Sequence, residues 1–556
     1  MERRTLLAVV LAALVMVGYQ FIFGPQTRPT VDTATTGVES PVSDVAERTE
    51  SPIPGSGDDA GITQDRESAD TAAMPGVAFI DAGDSGVPIE VDTPLYLALL
   101  SPRGGALTKW ELSRYTDKSD EPAELVSSAA DGLLEFRVVE DEGVVDISRA
   151  TFQSKVTTGP DGERVQLTAR ANNGLQCDLI YSFSESEYLT NLDILIDGAS
   201  NRRGDGELQI IFPHTLPKLE KLEKFDDAAM ASVVSIGGKK IREGARRKKD
   251  GWSKTEAGTI DWMAIRSKYF ISALIPDGAV TGEVRFSKAA EDDIKTELSL
   301  PLATTGPTRY SFRLYSGPME LERLTALGSG LDRAVDLGWT WIRPFSRLLL
   351  RILNWLHEVI PNYGVAVLIL SAAAKLAFYP LTRTSLKSMR RLQALKPEMD
   401  RINEQYKDDA QKKQQAIFDL YKENKVNPAG GCLPMLVQMP VFVALYQVLS
   451  NAIELRKEPF VLWIDDLSAP DAIGSIAGFP IHVLPVLMGI TMFVQQKMTP
   501  TDPRQAALMY MMPVMMLFFF YSLPSGLVLY WTVSNLLQIG QQAMMNKEAM
   551  TQKAAA

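Results

Sequence analysis

The chain has 556 residues, with 68 Asp and Glu against 57 Lys and Arg, a formal net charge of −11. That balance argues against nucleic acid as a direct partner. Two cysteines exclude a disulfide framework and a four-cysteine zinc site, and three scattered histidines, His214, His357 and His482, lack ligand spacing. No phosphate loop, nucleophile elbow or His-Glu-x-x-His motif is present, so neither enzymatic catalysis nor a cofactor is expected.

In chain order, Met-Glu-Arg-Arg precedes an apolar stretch over 6–23. Its length, and the lack of a following Ala-x-Ala site, favour an uncleaved transmembrane anchor at 1–24 over a signal peptide. Arg3 and Arg4 place its N-terminus in the cytoplasm. Residues 25–77 are rich in Thr, Ser, Pro, Gly and Asp, a composition that cannot bury enough surface to offset its conformational entropy, so a disordered tether is expected.

Residues 78–335 read as β. Polar and apolar residues alternate over 164–171, and strand-like runs at 175–183 and 189–196 follow at short intervals. Such spacing predicts a large antiparallel β-sandwich. Sandwiches of that size can bind or isomerise sugars, which needs a His and a carboxylate as acid and base. His214 is this domain's only histidine, which weighs against that activity. The basic cluster Lys239, Lys240, Arg242, Arg246, Arg247, Lys248 and Lys249 reads as an exposed loop.

In 338–357, Arg343, Arg347 and Arg351 recur at i, i+4, i+8, with Trp341, Phe345, Leu348 and Trp355 around them. Tryptophan and arginine at helical spacing predict an amphipathic helix in the membrane interface. Residues 358–546 then hold five apolar segments, at 363–381, 432–452, 479–495, 506–523 and 526–544. The first contains one cation, Lys375, about 12 Å from Arg383 at a helical rise of 1.5 Å per residue. A charge at that depth costs about 2.5–3.5 kcal/mol on insertion scales. Lys375 either snorkels to the nearer head groups or has a buried use, and the segment alone leaves both open.

With the anchor, six spans place both ends in the cytoplasm. The connection at 382–427 has eleven Lys and Arg against seven Asp and Glu, as an inside segment should, while Asp465, Asp466 and Asp471 mark an outside loop. Arg456 and Lys457, also outside, are the exception. Met399, Ile402 and Tyr406, then Ile417, Leu420 and Tyr421, predict two amphipathic helices forming a cytoplasmic hairpin suited to docking partners. A short tail occupies 547–556.

Four strings coincide in this region: Tyr379-Pro-Leu-Thr382; Lys425-Val-Asn-Pro-Ala-Gly-Gly-Cys-Leu-Pro-Met-Leu-Val-Gln-Met-Pro440; Phe460-Val-Leu-Trp-Ile-Asp-Asp-Leu-Ser468; and Pro524-Ser-Gly-Leu-Val-Leu-Tyr-Trp-Thr-Val-Ser-Asn535. Together they resemble the YidC family of membrane protein insertases, part of a wider family with mitochondrial and thylakoid members. The resemblance covers residues 338–546, and anchor, tether and sandwich match the Gram-negative form.

The resemblance implies a multi-domain protein of the bacterial inner membrane. Five core transmembrane helices and an N-terminal anchor would carry a large periplasmic antiparallel β-sandwich. The core would enclose a hydrophilic groove, open to cytosol and lipid and closed outward, whose positive residue attracts acidic residues of incoming chains. That residue is generally arginine in the family; here it is Lys375, which keeps the charge without the planar fork. Ser371 lies one turn before it on the same face, and Gln438, Tyr530, Trp531 and Asn535 carry over by motif. Gln438 and Asn535 suit interhelical hydrogen bonding equally well, and the adjacent Tyr530 and Trp531 cannot point the same way. Insertion would need no nucleotide and proceed alone or with the Sec translocon. The implied partners are nascent membrane proteins, the ribosome and targeting factors through the hairpin, and the phospholipid bilayer. Two other readings compete: a polytopic transporter for an anionic solute, and a membrane-anchored assembly scaffold or chaperone.

Overall fold

The computed structural model describes residues 77–80, 86–126, 132–140, 143–159, 162–198, 206–290, 293–426, 433–476, 479–498 and 503–555. The expected anchor, and all but the last residue of the expected tether, lie outside the described residues.

The alternating stretches form strands because each buries one face. Gly162–Arg170, Gln176–Phe183 and Leu189–Asp197 pair antiparallel, Val165 and Leu192 both opposite Tyr181. Their inward residues Val165, Leu167, Leu179, Tyr181, Leu192 and Ile194 are buried. They belong to a 14-stranded antiparallel sheet, and the four strands from Ile89–Asp92 to Pro122–Glu124 form a second sheet. The sheets are tied together by buried tyrosines. Tyr96, stacked on Trp110 at 4.2 Å, donates its hydroxyl to the Ser184 carbonyl at 2.9 Å. Tyr181 donates in the other direction to the Gly105 carbonyl at 2.8 Å. The result is the expected β-sandwich.

The basic cluster is largely exposed, as expected, but its first three cations lie in a strand rather than a loop. Lys239–Glu243 is a strand paired with Ala231–Ile236. The turn between them uses Gly237 and Gly238 at φ +54° and +78°, a backbone that disfavours side chains. Lys240 donates to the Arg333 carbonyl at 2.8 Å, Arg242 pairs with Asp336 at 2.8 Å, and Lys248 pairs with Glu243 at 2.7 Å. Burial opposes the charge on Asp336, but the Arg266, Arg242 and Lys240 cations hold its carboxyl down at about 2.

Beyond the sandwich the chain is helical. Arg343–Val359 buries Leu350, Leu353 and Leu356 against the helices Tyr363–Ala377 and Leu433–Asn451, while Phe345, Leu348, Trp355 and Val359 face outward. Tyr379–Ala394 continues helical where the connection was expected to begin; Pro380 lies in its first turn, where a missing N–H does no harm. Glu398–Leu420 belongs to a separate compact unit. Its two helices are joined by a turn in which Asp409 accepts from the Lys412 amide at 3.0 Å. Val483–Met498, Pro503–Phe520 and Ser525–Ala555 complete the series.

The third apolar segment departs from expectation at its start. Ser475–Ile476 and Phe479–Pro480 form a small hairpin, and the helix begins only at Val483. The cause is Asp471, whose Oδ2 accepts from the amides of Val483 and Leu484 at 2.8 Å each and caps the helix there. Tyr363–Leu392 is long and apolar enough to cross a membrane; Val483–Met498 and Tyr510–Phe520 are apolar but shorter. Leu376 (74% exposed), Phe518 (88%), Ile490, Met511 and Val514 project from these helices. Water would penalise such a display, and lipid does not.

Candidate functional site

The helix Tyr363–Ala377 is fixed at its start by Asn362, whose side chain accepts from the Val365 amide at 3.0 Å. Gly364 follows because the Phe460 ring lies on it: a Cβ there would sit 2.1 Å from the ring. One helical face then presents Ser371 and Lys375. Ser371 is buried and donates within its own helix, to the Val367 carbonyl at 2.7 Å. Lys375 is half-buried, and its Nζ donates to Gln538 Oε1 at 3.0 Å. Among the described residues no carboxylate pairs with it.

Gln538 belongs to the helix Ser525–Ala555, which packs on Tyr363–Ala377. Along it Tyr530, Ser534, Gln538 and Gln541 recur at i, i+4, i+8, i+11 and so share one face. Among the described residues the Tyr530 hydroxyl is buried beside Gln438 and Ser534 without a well-aligned hydrogen bond, and Gln541 Nε2 is buried without a partner. Trp531 turns elsewhere, its ring 4.8 Å from Phe442 and 5.3 Å from Phe520. Asn535 donates to Thr491 Oγ1 at 3.4 Å, which is the interhelical role considered for it.

Of the expected residues, therefore, Ser371 and Lys375 share a face, Gln438 neighbours Tyr530, and Trp531 and Asn535 are engaged with other helices. Gln538 and Ser534 were not anticipated, although their spacing from Tyr530 carries the signal.

The outward end of these helices is stitched by the 456–471 loop. Asp466 accepts from the Lys457 and Ser468 amides, and Asp471 from Trp463 Nε1 at 3.0 Å. The start of the last helix is bound to the same loop: the Ser525 amide donates to the Ala469 carbonyl at 2.7 Å and Gly526 to Leu467 at 2.9 Å. Arg456 and Lys457 dock on the sandwich. Arg456 pairs with Glu220 at 2.7 Å and donates to the Thr116 carbonyl at 2.7 Å, and Lys457 pairs with Asp120 at 2.6 Å. The cations that break the charge rule therefore help to join helices to sandwich. Among the described residues no group of His, Cys, Asp and Glu is gathered to hold a metal.

A folded sandwich latched to helices with lipid-compatible surfaces defines a membrane protein with a large domain outside the bilayer. Residues 88–349 match the family model of the YidC periplasmic domain, and residues 355–553 that of the 60Kd inner membrane protein. The membrane protein insertase YidC of Geotalea daltonii is 34% identical over 561 residues, covering 98% of this chain and 99% of the relative. That of Pelobacter propionicus is 36% identical over 571 residues, with 98% and 99% covered. A crystal structure of an active YidC insertase with its first transmembrane domain resolved aligns at a TM-score of 0.37 and 20% identity, over 84% of this chain and 93% of that one. The chain belongs to the YidC family of membrane protein insertases. Its sandwich is the periplasmic domain.

Proposed function

We propose that this chain integrates newly made proteins into the bacterial inner membrane through a hydrophilic groove between the helices Tyr363–Ala377, Leu433–Asn451 and Ser525–Ala555. The observation that carries this reading is Lys375, a half-buried ammonium on an apolar helix, held by a neutral amide and by no carboxylate among the described residues. Its field draws acidic residues of an incoming segment into the groove. Ser371, Gln438 and Tyr530 shorten the distance over which polar substrate residues must leave water, and Trp531 and Asn535 brace the walls. The substrate's apolar helix stays on the lipid side and partitions by burial of its apolar surface. The membrane potential assists an acidic segment by about 2.3 kcal/mol per charge per 100 mV, and no nucleotide is needed.

Five core helices and the anchor put both termini in the cytoplasm. The loop bonds at Asp466 and Ser525 support closure towards the periplasm. The hairpin within 382–427 receives the ribosome and targeting factors, and insertion proceeds alone or with the Sec translocon.

A photo-crosslinker at position 438, presented to ribosome-bound nascent chains of increasing length, tests the path. Crosslinks should follow the substrate's apolar segment as it lengthens. Silence there, with crosslinks only from the sandwich, would recast the chain as a periplasmic scaffold.

A further inference from the structure

The bond between Lys375 and Gln538 joins residues 163 positions apart, on two helices packed against each other. A lysine ammonium has three donors and no acceptor, at the end of a flexible four-carbon stem. Left free in an apolar setting, such a stem carries its charge towards the head groups. Something must hold it if it is to act within the apolar segment, in the last turn of its helix.

The holder could have been a carboxylate, which would close an ion pair and cancel the field. It is an amide instead. Gln538 accepts one hydrogen bond, leaves the positive charge uncancelled and leaves two ammonium N–H groups for another acceptor. The amide is itself aimed by its neighbours. Asn535 donates to Thr491 at 3.4 Å and Gln542 to the Met498 carbonyl at 2.8 Å, three residues before and four after it, so this stretch is tied to the helix Val483–Met498. The helix cannot rotate about its axis without breaking both bonds, and Gln538 stays directed at Lys375.

We infer that Gln538 is a positioning residue for the groove cation: a neutral tether that fixes the ammonium in depth while keeping its charge available to substrate carboxylates. The inference rests on the role proposed above for Lys375. It makes Gln538 a determinant of substrate preference, raising insertion of acidic segments over neutral ones.

The test uses the full chain in proteoliposomes and one small single-spanning substrate in two forms, with two Asp or two Asn in its translocated segment. The readout is the ratio of inserted Asp form to inserted Asn form. Gln538→Leu should lower that ratio roughly three- to tenfold, the effect of one net hydrogen bond, with the Asn form changed less than about twofold. Gln538→Glu, which is isosteric and so controls for folding, should lower it at least as far by pairing with Lys375. Lys375→Arg introduced beside Gln538→Leu should recover most of the loss, because the planar guanidinium is held more rigidly.

If Gln538→Leu lowers both forms equally, the residue is structural and the inference fails. If Gln538→Leu and Gln538→Glu leave the ratio unchanged while Lys375→Gln lowers it, the tether is wrong and the cation's role stands. If Lys375→Gln also leaves it unchanged, the reading of the groove cation falls as well.

Discussion

Replacing Arg456 by methionine should loosen the contact between sandwich and helices without unfolding either. The guanidinium is 2% exposed and its partner Glu220 14% exposed, so the pair is nearly dry. It also satisfies the Thr116 carbonyl and lies 5.2 Å from the centre of the Phe270 ring. Removing one member of a buried pair strands the other, at a cost of about 3–5 kcal/mol. The sandwich keeps its own core, so that cost falls on opening of the junction. At 1.4 kcal/mol per factor of ten, opening should rise by roughly 100-fold or more. Limited proteolysis of the detergent-purified protein reads this directly when opening and closing are fast relative to cleavage. The protease must lack basic-site specificity, because the substitution removes an arginine. The companion variant Arg456→Met with Glu220→Gln should regain most of the loss, since neither partner is then left charged and buried. Equal cleavage of single and double variants, or wild-type cleavage of the single, would refute the charge pair as the source of adhesion.

Glu454, at the same junction, gives a pH dependence of unusual sign. Burial, with the Glu320 and Glu322 carboxylates nearby, raises its carboxyl from 4.5 to about 7. Between those values the folded protein binds a proton that the unfolded chain has released, so stability falls as pH rises through the window. Cleavage at the junction should be faster at pH 8 than at pH 5, and Glu454→Gln should flatten the profile; an unaltered profile in that variant would acquit Glu454. Asp471→Ala removes the cap on Val483 and Leu484 and the acceptor of Trp463, which should cost about 1–2 kcal/mol. Hydrogen exchange should accelerate at 483–486 and not at 525–535, and no change at the first site would remove the capping role. Gly364→Ala should overpack against Phe460 by about 1–3 kcal/mol, measured as a lower Tm, and Phe460→Leu should relieve it; a wild-type Tm in the single variant would contradict the close approach.

The sandwich strands were legible because a half-buried strand writes its geometry as alternation, and residues 163–170 do so. The 239–249 cluster was legible as exposed but not as a strand, because a run of charge shows solvation and hides the ion pairs that Arg242 and Lys248 make with Asp336 and Glu243. The hairpin at 475–480 was hidden because Phe479, Pro480 and Ile481 merge with the apolar run after them, and only the distant Asp471 decides where the helix starts. At the site, Lys375 announced itself as a cation among apolar residues. Gln538 did not: a glutamine in the middle of a long helix is unremarkable until the residue facing it is known. Arg456 and Lys457 were noticed for breaking the charge rule, which weighs loops against the bilayer and takes no account of a chain's own folded domain.

Those two cations also bear on how this protein is itself made. The loop that carries them docks on the periplasmic domain and must therefore cross the bilayer during biogenesis. An inside-negative potential opposes that export by about 2.3 kcal/mol per charge per 100 mV. Glu454 and Glu458, on either side, offset the work while the segment is in transit. Glu220 and Asp120 come earlier in the chain, so the receiving surface is synthesised and exported before the latch arrives. Docking then holds the loop on the far side. Order of synthesis and electrostatic capture together make the final topology self-locking, independent of whatever machinery delivered it.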